Sequence, residues 1–190
     1  MIVTIDGPAG SGKSTVARAL AGALGIAYLD TGATYRAVTW KALRAGVDLA
    51  DEPALTALAA ALNLEMVPAE DGPVVRVDGQ DVSKVIRSQE VTNHAHYAAR
   101  SPRVRAVLVD LQRRLGARLG SFVSEGRDQG SVVFPEADAK VYLDADVHTR
   151  ARRRRADLQA AGEDVDYNTV LADLERRDRR DRSEERRVGK

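Results

Sequence analysis

The residues best suited to chemistry stand at the start of the chain. Gly7-Pro8-Ala9-Gly10-Ser11-Gly12-Lys13-Ser14-Thr15 has the spacing G-x-x-x-x-G-K-S, after the β-branched run Ile2-Val3-Thr4-Ile5 and before an amphipathic helix pattern. This is a phosphate-binding loop (P-loop) in the context its mechanism needs, between a strand and a helix. Glycines let the backbone curl until its N–H groups point at phosphate oxygens, and the helix N-terminus adds partial positive charge. Lys13 is spaced to reach the β- and γ-phosphates, and the Ser14 hydroxyl to take a Mg2+ position. The loop therefore reads as a nucleoside triphosphate site. What receives the phosphate must be read elsewhere.

Two other clusters follow apolar runs that read as core strands: Asp30-Thr31-Gly32 with Arg36, and Glu125-Gly126-Arg127-Asp128. Arg36 near a helix start is electrostatically unfavourable unless an anion sits there. Arg127 and Asp128 can pair with each other or serve a ligand at the strand end. Further cations come from Arg105, Arg150, Arg153 and Arg177. Arg150 and Arg152 to Arg155 cover most sides of one helix, so only one or two are expected to reach phosphate, with Arg153 the catalytic candidate. Arg177, Asp178 and Asp181 also fit ordinary helix pairing at i, i+4. No general base stands out, since His94, His96 and His148 are scattered. That suits a nucleotide phosphate as acceptor: with a second pKa near ~6 it is already an anionic nucleophile at neutral pH. Such a reaction needs charge neutralisation and in-line positioning more than proton transfer.

The elements that must position these groups alternate between strand and helix. Apolar periodicity predicts a helix over 13–24, with Val16, Ala17, Leu20, Ala21 and Leu24 on one face and Gly25 ending it. A short strand over 26–29 and helices over about 33–45 and 53–62 follow. Between Leu64 and Val82 the period changes to that of short strands, with the hairpin dipeptide Asp78-Gly79, and reads as an insertion with its own small sheet. Helices are predicted over about 88–99 and 102–119, with Pro102 at the first helical position. Strands over 121–125 and 140–144 precede helices over about 147–160 and 168–182. Strands separated by helices imply an α/β fold, a parallel sheet with helices on both faces and ligands at the carboxyl ends of the strands.

Composition narrows the classes further. The 190 residues allow one sizeable core, and the chain has no cysteine, which excludes disulfides and thiolate chemistry. The formal charge is +1, but residues 1–99 carry 8 basic and 11 acidic side chains and residues 100–190 carry 21 and 17, so the cations come from the second half. No apolar run reaches membrane-spanning length and the first strand begins at Met1, so a soluble cytoplasmic protein is expected.

These motifs occur in one order together with Asp81-Val-Ser-Lys-Val-Ile-Arg87, Pro102-Arg-Val-Arg105, Gly126-Arg-Asp-Gln-Gly-Ser-Val-Val-Phe-Pro135 and Arg177-Asp-Arg-Arg-Asp181. In this the chain resembles the bacterial cytidylate kinases, from Met1 to about Ser183. The resemblance implies a P-loop nucleoside-monophosphate-kinase fold with a core over 1–61 and 101–183. It also implies an NMP-binding insertion over about 62–100 and a lid over about 157–166. It implies ATP with Mg2+ as phosphate donor, CMP or dCMP as the small-molecule substrate, a monomer, and no nucleic acid or membrane partner. Carried over by position, Arg36 and Arg127 would hold the CMP phosphate. Thr31, Arg177 and Asp181 would contact the ribose, and Arg105 and Asp128 would read the base. Cytosine chemistry agrees with that last pair. An amino donor beside N3 and O2 acceptors complements a carboxylate and a guanidinium, and uracil reverses the first two positions. His96 stands where the family usually has a Ser on the base amino group.

The resemblance also implies an arginine three residues beyond Asp181, where this sequence has Glu184, followed by a loop, a fifth strand and a helix that the sequence does not carry. On that comparison residues 184–190 form a non-family tail. The chain reads as C-terminally truncated, and low activity is expected of it. Two rival readings remain. One is another small-molecule P-loop kinase, such as a UMP kinase. The other is a P-loop NTP-binding regulatory protein that uses its arginine-rich half on nucleic acid.

Overall fold

The computed structural model describes residues 1–69, 72–160 and 162–188, with side chains as far as residue 179. Strand β1 (Ile2–Asp6) lies inside a four-stranded sheet of order β2-β6-β1-β7, formed with β2 (Ala27–Asp30), β6 (Phe122–Gly126) and β7 (Ala139–Tyr142). Every pairing in it is parallel, and the register sets Asp6 beside Gly126 and Tyr142, and Asp30 beside Glu125. The carboxyl ends of all four strands therefore meet along one rim, as the alternating pattern predicts.

Helix α1 (Lys13–Leu24) covers one face of this sheet through Ala17 and Ala21, packed with Val3, Ile5 and Val123. Val16 and Leu24, expected on that face, are 43 % and 45 % exposed. Small residues let the helix sit close to the strands, and its contact stripe is then too narrow to include the flanking branched side chains. Helix α2 (Thr31–Ala45) begins two residues before the expected start, because the Asp30 carboxylate accepts the Ala33 N–H and acts as its N-cap. Thr31 and Gly32 are thus first-turn helix residues rather than loop.

Helix α3 (Glu52–Ala61) leads into an antiparallel sheet of β3 (Leu64–Val67), β4 (Val74–Val77) and β5 (Gln80–Asp81), order β3-β4-β5. Asp78 and Gly79 both have positive φ, 51° and 81°, the signature of the two-residue hairpin their sequence predicts. Leu64, Val75 and Val77 of this small sheet bury into the same apolar cluster as Leu29, Val38 and Phe122. The inserted sheet therefore shares the core of the main one. A 3-10 turn (Val85–Arg87) precedes α4 (Gln89–Arg100), and α5 (Pro102–Leu119) has Ser101 as its cap. After β6 the chain makes a π-helical turn over Gln129–Val133.

Helices α6 (Val147–Ala160) and α7 (Tyr167–Val188) pack on each other through Ala151, Leu158, Val170 and Leu174. The backbone of α7 runs six residues past its expected end at Arg182, through a stretch of Glu and Arg that favours helix and has no Gly or Pro before Gly189.

Candidate active site

The loop between β1 and α1 has the conformation its glycines permit. Gly10 and Gly12 take φ of 74° and 98°, in the left-handed region. At Gly7 a Cβ would lie 2.0 Å from the Leu143 carbonyl oxygen, so only glycine lets the loop pass this close to the chain after β7. The first turn of α1 has neither a side-chain cap nor an acidic residue, which leaves its N–H groups to an anion.

Three consecutive loop carbonyls are each held by a cation. Arg127 Nη1 donates to Gly7 O at 2.8 Å, Lys13 Nζ to Pro8 O at 2.8 Å and Arg150 Nη1 to Ala9 O at 2.9 Å. Arg153 extends its guanidinium over the loop, with Nη1 3.9 Å from where a Cβ on Gly12 would stand. Of the α6 arginines, Arg150 and Arg153 are thus the two directed at the loop. An open cavity of about 320 Å3 lies alongside, bordered by Gly7, Pro8, Arg127, Asp144, Arg150 and Asp178.

Ser14 Oγ donates to Glu125 Oε1 at 2.8 Å, and Tyr28 Oη donates to the same oxygen at 3.1 Å. Burial pushes the Tyr28 hydroxyl far above its ordinary pKa, and the Asp30 and Glu125 charges push it the same way, so it stays a donor. The Ser14 hydroxyl and the Glu125 carboxylate are hard oxygen donors suited to Mg2+. Among the described residues no three His, Asp or Glu side chains cluster as a metal site. A cation here would depend on phosphate oxygens and water for its remaining ligands.

On the other side of the rim, Asp30 accepts from Arg36 Nη2 at 3.0 Å and from Arg87 Nη2 at 2.8 Å. Two guanidiniums share one carboxylate, which leaves net positive charge at the start of α2. Arg36 Nε is buried with no hydrogen-bond partner. Thr31 is 2 % exposed and its hydroxyl donates to the Glu125 carbonyl at 2.6 Å, tying α2 to β6. The next segment holds Arg127 and Asp128 just before the π-helical turn. The turn is fixed by Asp6, whose two carboxylate oxygens accept the Gln129 and Gly130 N–H groups at 2.8 Å each. Asp128 forms an ion pair with Arg105 of α5, so the two candidate base-reading groups meet.

The remaining candidates belong to α4 and α7. His96 donates from Nδ1 to the Asn93 carbonyl at 2.8 Å, and its ring lies 4.3 Å from that of Tyr97. Arg177 lies partly buried on α7, while the Asp181 side chain is outside the described residues. Asp178 pairs across the helix hairpin with Arg150. Glu125 and Arg87 stand in the quoted motifs without an assigned role, and Asp6 was not singled out by sequence reasoning. An acid closing a strand beside the P-loop strand was the available signal for Glu125. Nothing in the spacing marks Asp6 as the anchor of a turn more than a hundred residues away.

This arrangement sets the P-loop and a cluster of arginines along one sheet rim. The sequence profile of cytidylate kinase matches residues 3–190. A cytidylate kinase of Exiguobacterium sp. is 47 % identical over 183 residues, covering 96 % of this chain and 81 % of the relative. One from Mycolicibacterium paratuberculosis is 48 % identical over 181 residues, covering 95 % and 79 %. A bifunctional pantoate ligase/cytidylate kinase of Synechococcus sp. is 50 % identical over 186 residues, which are 97 % of this chain and 38 % of that longer protein. With a P-loop on β1, an arginine-bearing turn on β6 and a family match across nearly its whole length, the chain belongs to the cytidylate kinase family.

Proposed function

We propose that the chain transfers the γ-phosphoryl group of ATP, with Mg2+, to CMP and dCMP, giving CDP and dCDP. The observation that carries this reading is a chain of contacts. Arg127 touches the P-loop at Gly7, and its neighbour Asp128 pairs with Arg105, so phosphate and base recognition adjoin. The Gly7–Thr15 loop (Gly7, Pro8, Ala9, Gly10, Ser11, Gly12, Lys13, Ser14, Thr15), through its backbone N–H groups other than at Pro8, and the Lys13 side chain hold the triphosphate, and Arg153 neutralises charge on the transferring group. Arg36 and Arg127 fix the acceptor phosphate in line, Arg105 and Asp128 select cytosine, and His96 accepts from its amino group. Thr31, Arg177 and Asp181 take the ribose. Ser14 and Glu125 hold Mg2+, which when bound offsets charge on the phosphate oxygens.

In this reading residues 62–100 close over the monophosphate and residues 157–166 act as a lid that excludes water. The protein works as a cytoplasmic monomer without nucleic acid. No helix among the described residues is long and apolar enough to cross a membrane. The test is a phosphorylation assay with CMP, dCMP, UMP, AMP and shikimate as acceptors. CMP and dCMP are expected to lead, and a clear preference for UMP refutes the assignment. Salt-sensitive RNA or DNA binding without CMP-dependent ATP turnover would favour the regulatory alternative.

A further inference from the structure

Arg150 is the most enclosed of the α6 arginines. Its side chain is 5 % exposed and that of its partner Asp178 is 11 %. Nη2 donates to Asp178 Oδ2 at 2.6 Å and Nη1 to Oδ1 at 3.1 Å. Nη1 also donates to Ala9 O at 2.9 Å, and Nε to Ala145 O at 2.8 Å. Four segments therefore converge on one guanidinium: the P-loop, the β7–α6 connection, α6 itself and α7. The Arg150 Cβ stands 3.5 Å from where a Cβ on Gly10 would be, so its stem also lines the back of the loop.

A buried ion pair is poor evidence for stability, because a well-packed apolar pair of similar volume does as well or better. What an apolar pair cannot supply is a donor to Ala9 O. The Ala9 carbonyl and the Gly10 N–H belong to one planar trans peptide and point in opposite directions. A donor that holds the carbonyl outward therefore turns the N–H inward, towards the space a phosphate oxygen occupies. Lys13 does the same for the Pro8–Ala9 peptide. Lys13 and Arg127 are also the cations expected to turn to phosphate when nucleotide arrives. Arg150 is locked by a bidentate carboxylate and stays.

We propose that Arg150 is a positioning residue for the phosphate loop: it orients the Ala9–Gly10 peptide for an incoming triphosphate, and Asp178 fixes it in that role. The proposal rests on the reading that this loop takes ATP. Its consequence is specific to the donor nucleotide. Without the Nη1 donor the loop must organise itself on binding, a cost that falls on ATP affinity and not on the acceptor.

The experiment compares Arg150→Met, Arg150→Lys and the double variant Arg150→Met/Asp178→Leu with the unsubstituted chain. Binding of a fluorescent ATP analogue, steady-state KM for ATP and for CMP, and Tm are read on each. The double variant restores an apolar interior, so its Tm is expected to match or exceed the parent. Its analogue Kd and KM for ATP are expected to stay raised about tenfold, a loss of about 1.4 kcal/mol, with KM for CMP within about twofold. Arg150→Lys keeps the charge but cannot reach all its acceptors at once, and is expected to fall between. If Arg150→Met fails to fold, the other two variants carry the test. Parental ATP affinity in the double variant or in Arg150→Lys, or equal rises in both KM values, overturns the proposal, as does an unsubstituted chain that does not bind the analogue. The binding titration contains no acceptor, so absent CMP turnover would refute the proposed function and leave this result standing.

Discussion

Replacing Asp128 by Asn tests how the base is read. Its carboxylate meets Arg105 at the edge of the acceptor site, with the two side chains 16 % and 20 % exposed. A cytosine amino group donating to this carboxylate makes a charge-assisted hydrogen bond, worth about 1.5–3 kcal/mol. Its loss lowers kcat/KM for CMP by roughly 10- to 150-fold. Uracil presents a carbonyl at the same place, which the carboxylate repels. The Asn amide can turn its NH2 towards that carbonyl, so UMP is expected to hold or gain. The CMP-to-UMP preference should therefore fall by at least about tenfold. Exposure of this pair lies between that of a surface and a fully buried ion pair, so the change costs about 1–2 kcal/mol of stability. That lowers Tm by only about 3–6 °C, and the variant remains folded for assay. Parallel kcat/KM measurements with CMP and UMP at saturating ATP decide the matter. A preference unchanged within about twofold in a folded Asp128→Asn variant would show that base selection lies elsewhere.

Other consequences follow from the same geometry. Glu125→Gln removes the charge facing Ser14 Oγ and should raise the Mg2+ concentration for half-maximal rate several-fold, with Tm little changed, as read by a metal titration. Phe122 is fully buried and stacks edge-on against Phe134 at 5.0 Å, so Phe122→Ala should cost about 3–5 kcal/mol in denaturant unfolding. The Thr149 backbone N–H, with help from the Thr149 hydroxyl, holds the Asp146 carboxyl below its ordinary 3.8. Its folded pKa is depressed, so the stabilisation is present above the ordinary value and lost as pH falls through the lower folded one. The gap in urea midpoint between the parent and Asp146→Ala should accordingly narrow between about pH 6 and about pH 3.

Much of this site could be read in the residues themselves. The P-loop spacing, Pro102 at a helix start and the Asp78-Gly79 hairpin are local signals, and the structure has each where the local chemistry puts it. Asp30 was also local but ambiguous. Asp-Thr-Gly reads as a turn, and only the Asp30 to Ala33 bond makes it a cap that brings Arg36 into the second turn of α2. For the α6 arginines the sequence offered a number and a candidate, Arg153, but no inward face. Five arginines within six positions have no apolar stripe to betray the inward face, and what separates Arg150 from Arg152 is the position of Asp178 and Ala9, far away in the chain. Long-range partners of this kind, like Asp6 with the Gln129–Gly130 amides, leave no periodicity to detect.

The Asp6 carboxylate has one further implication. It stands one residue before the P-loop and anchors the turn that follows Arg127 and Asp128. The P-loop and the Arg127–Asp128 segment are thereby keyed to the same strand end, so on the proposed reading the separation of donor and acceptor sites is a built-in gauge. If Arg105 and Asp128 read the base as proposed, a protein engineer could alter that pair without resetting the spacing between the two phosphates, provided that Asp6 and its two amide contacts are left in place.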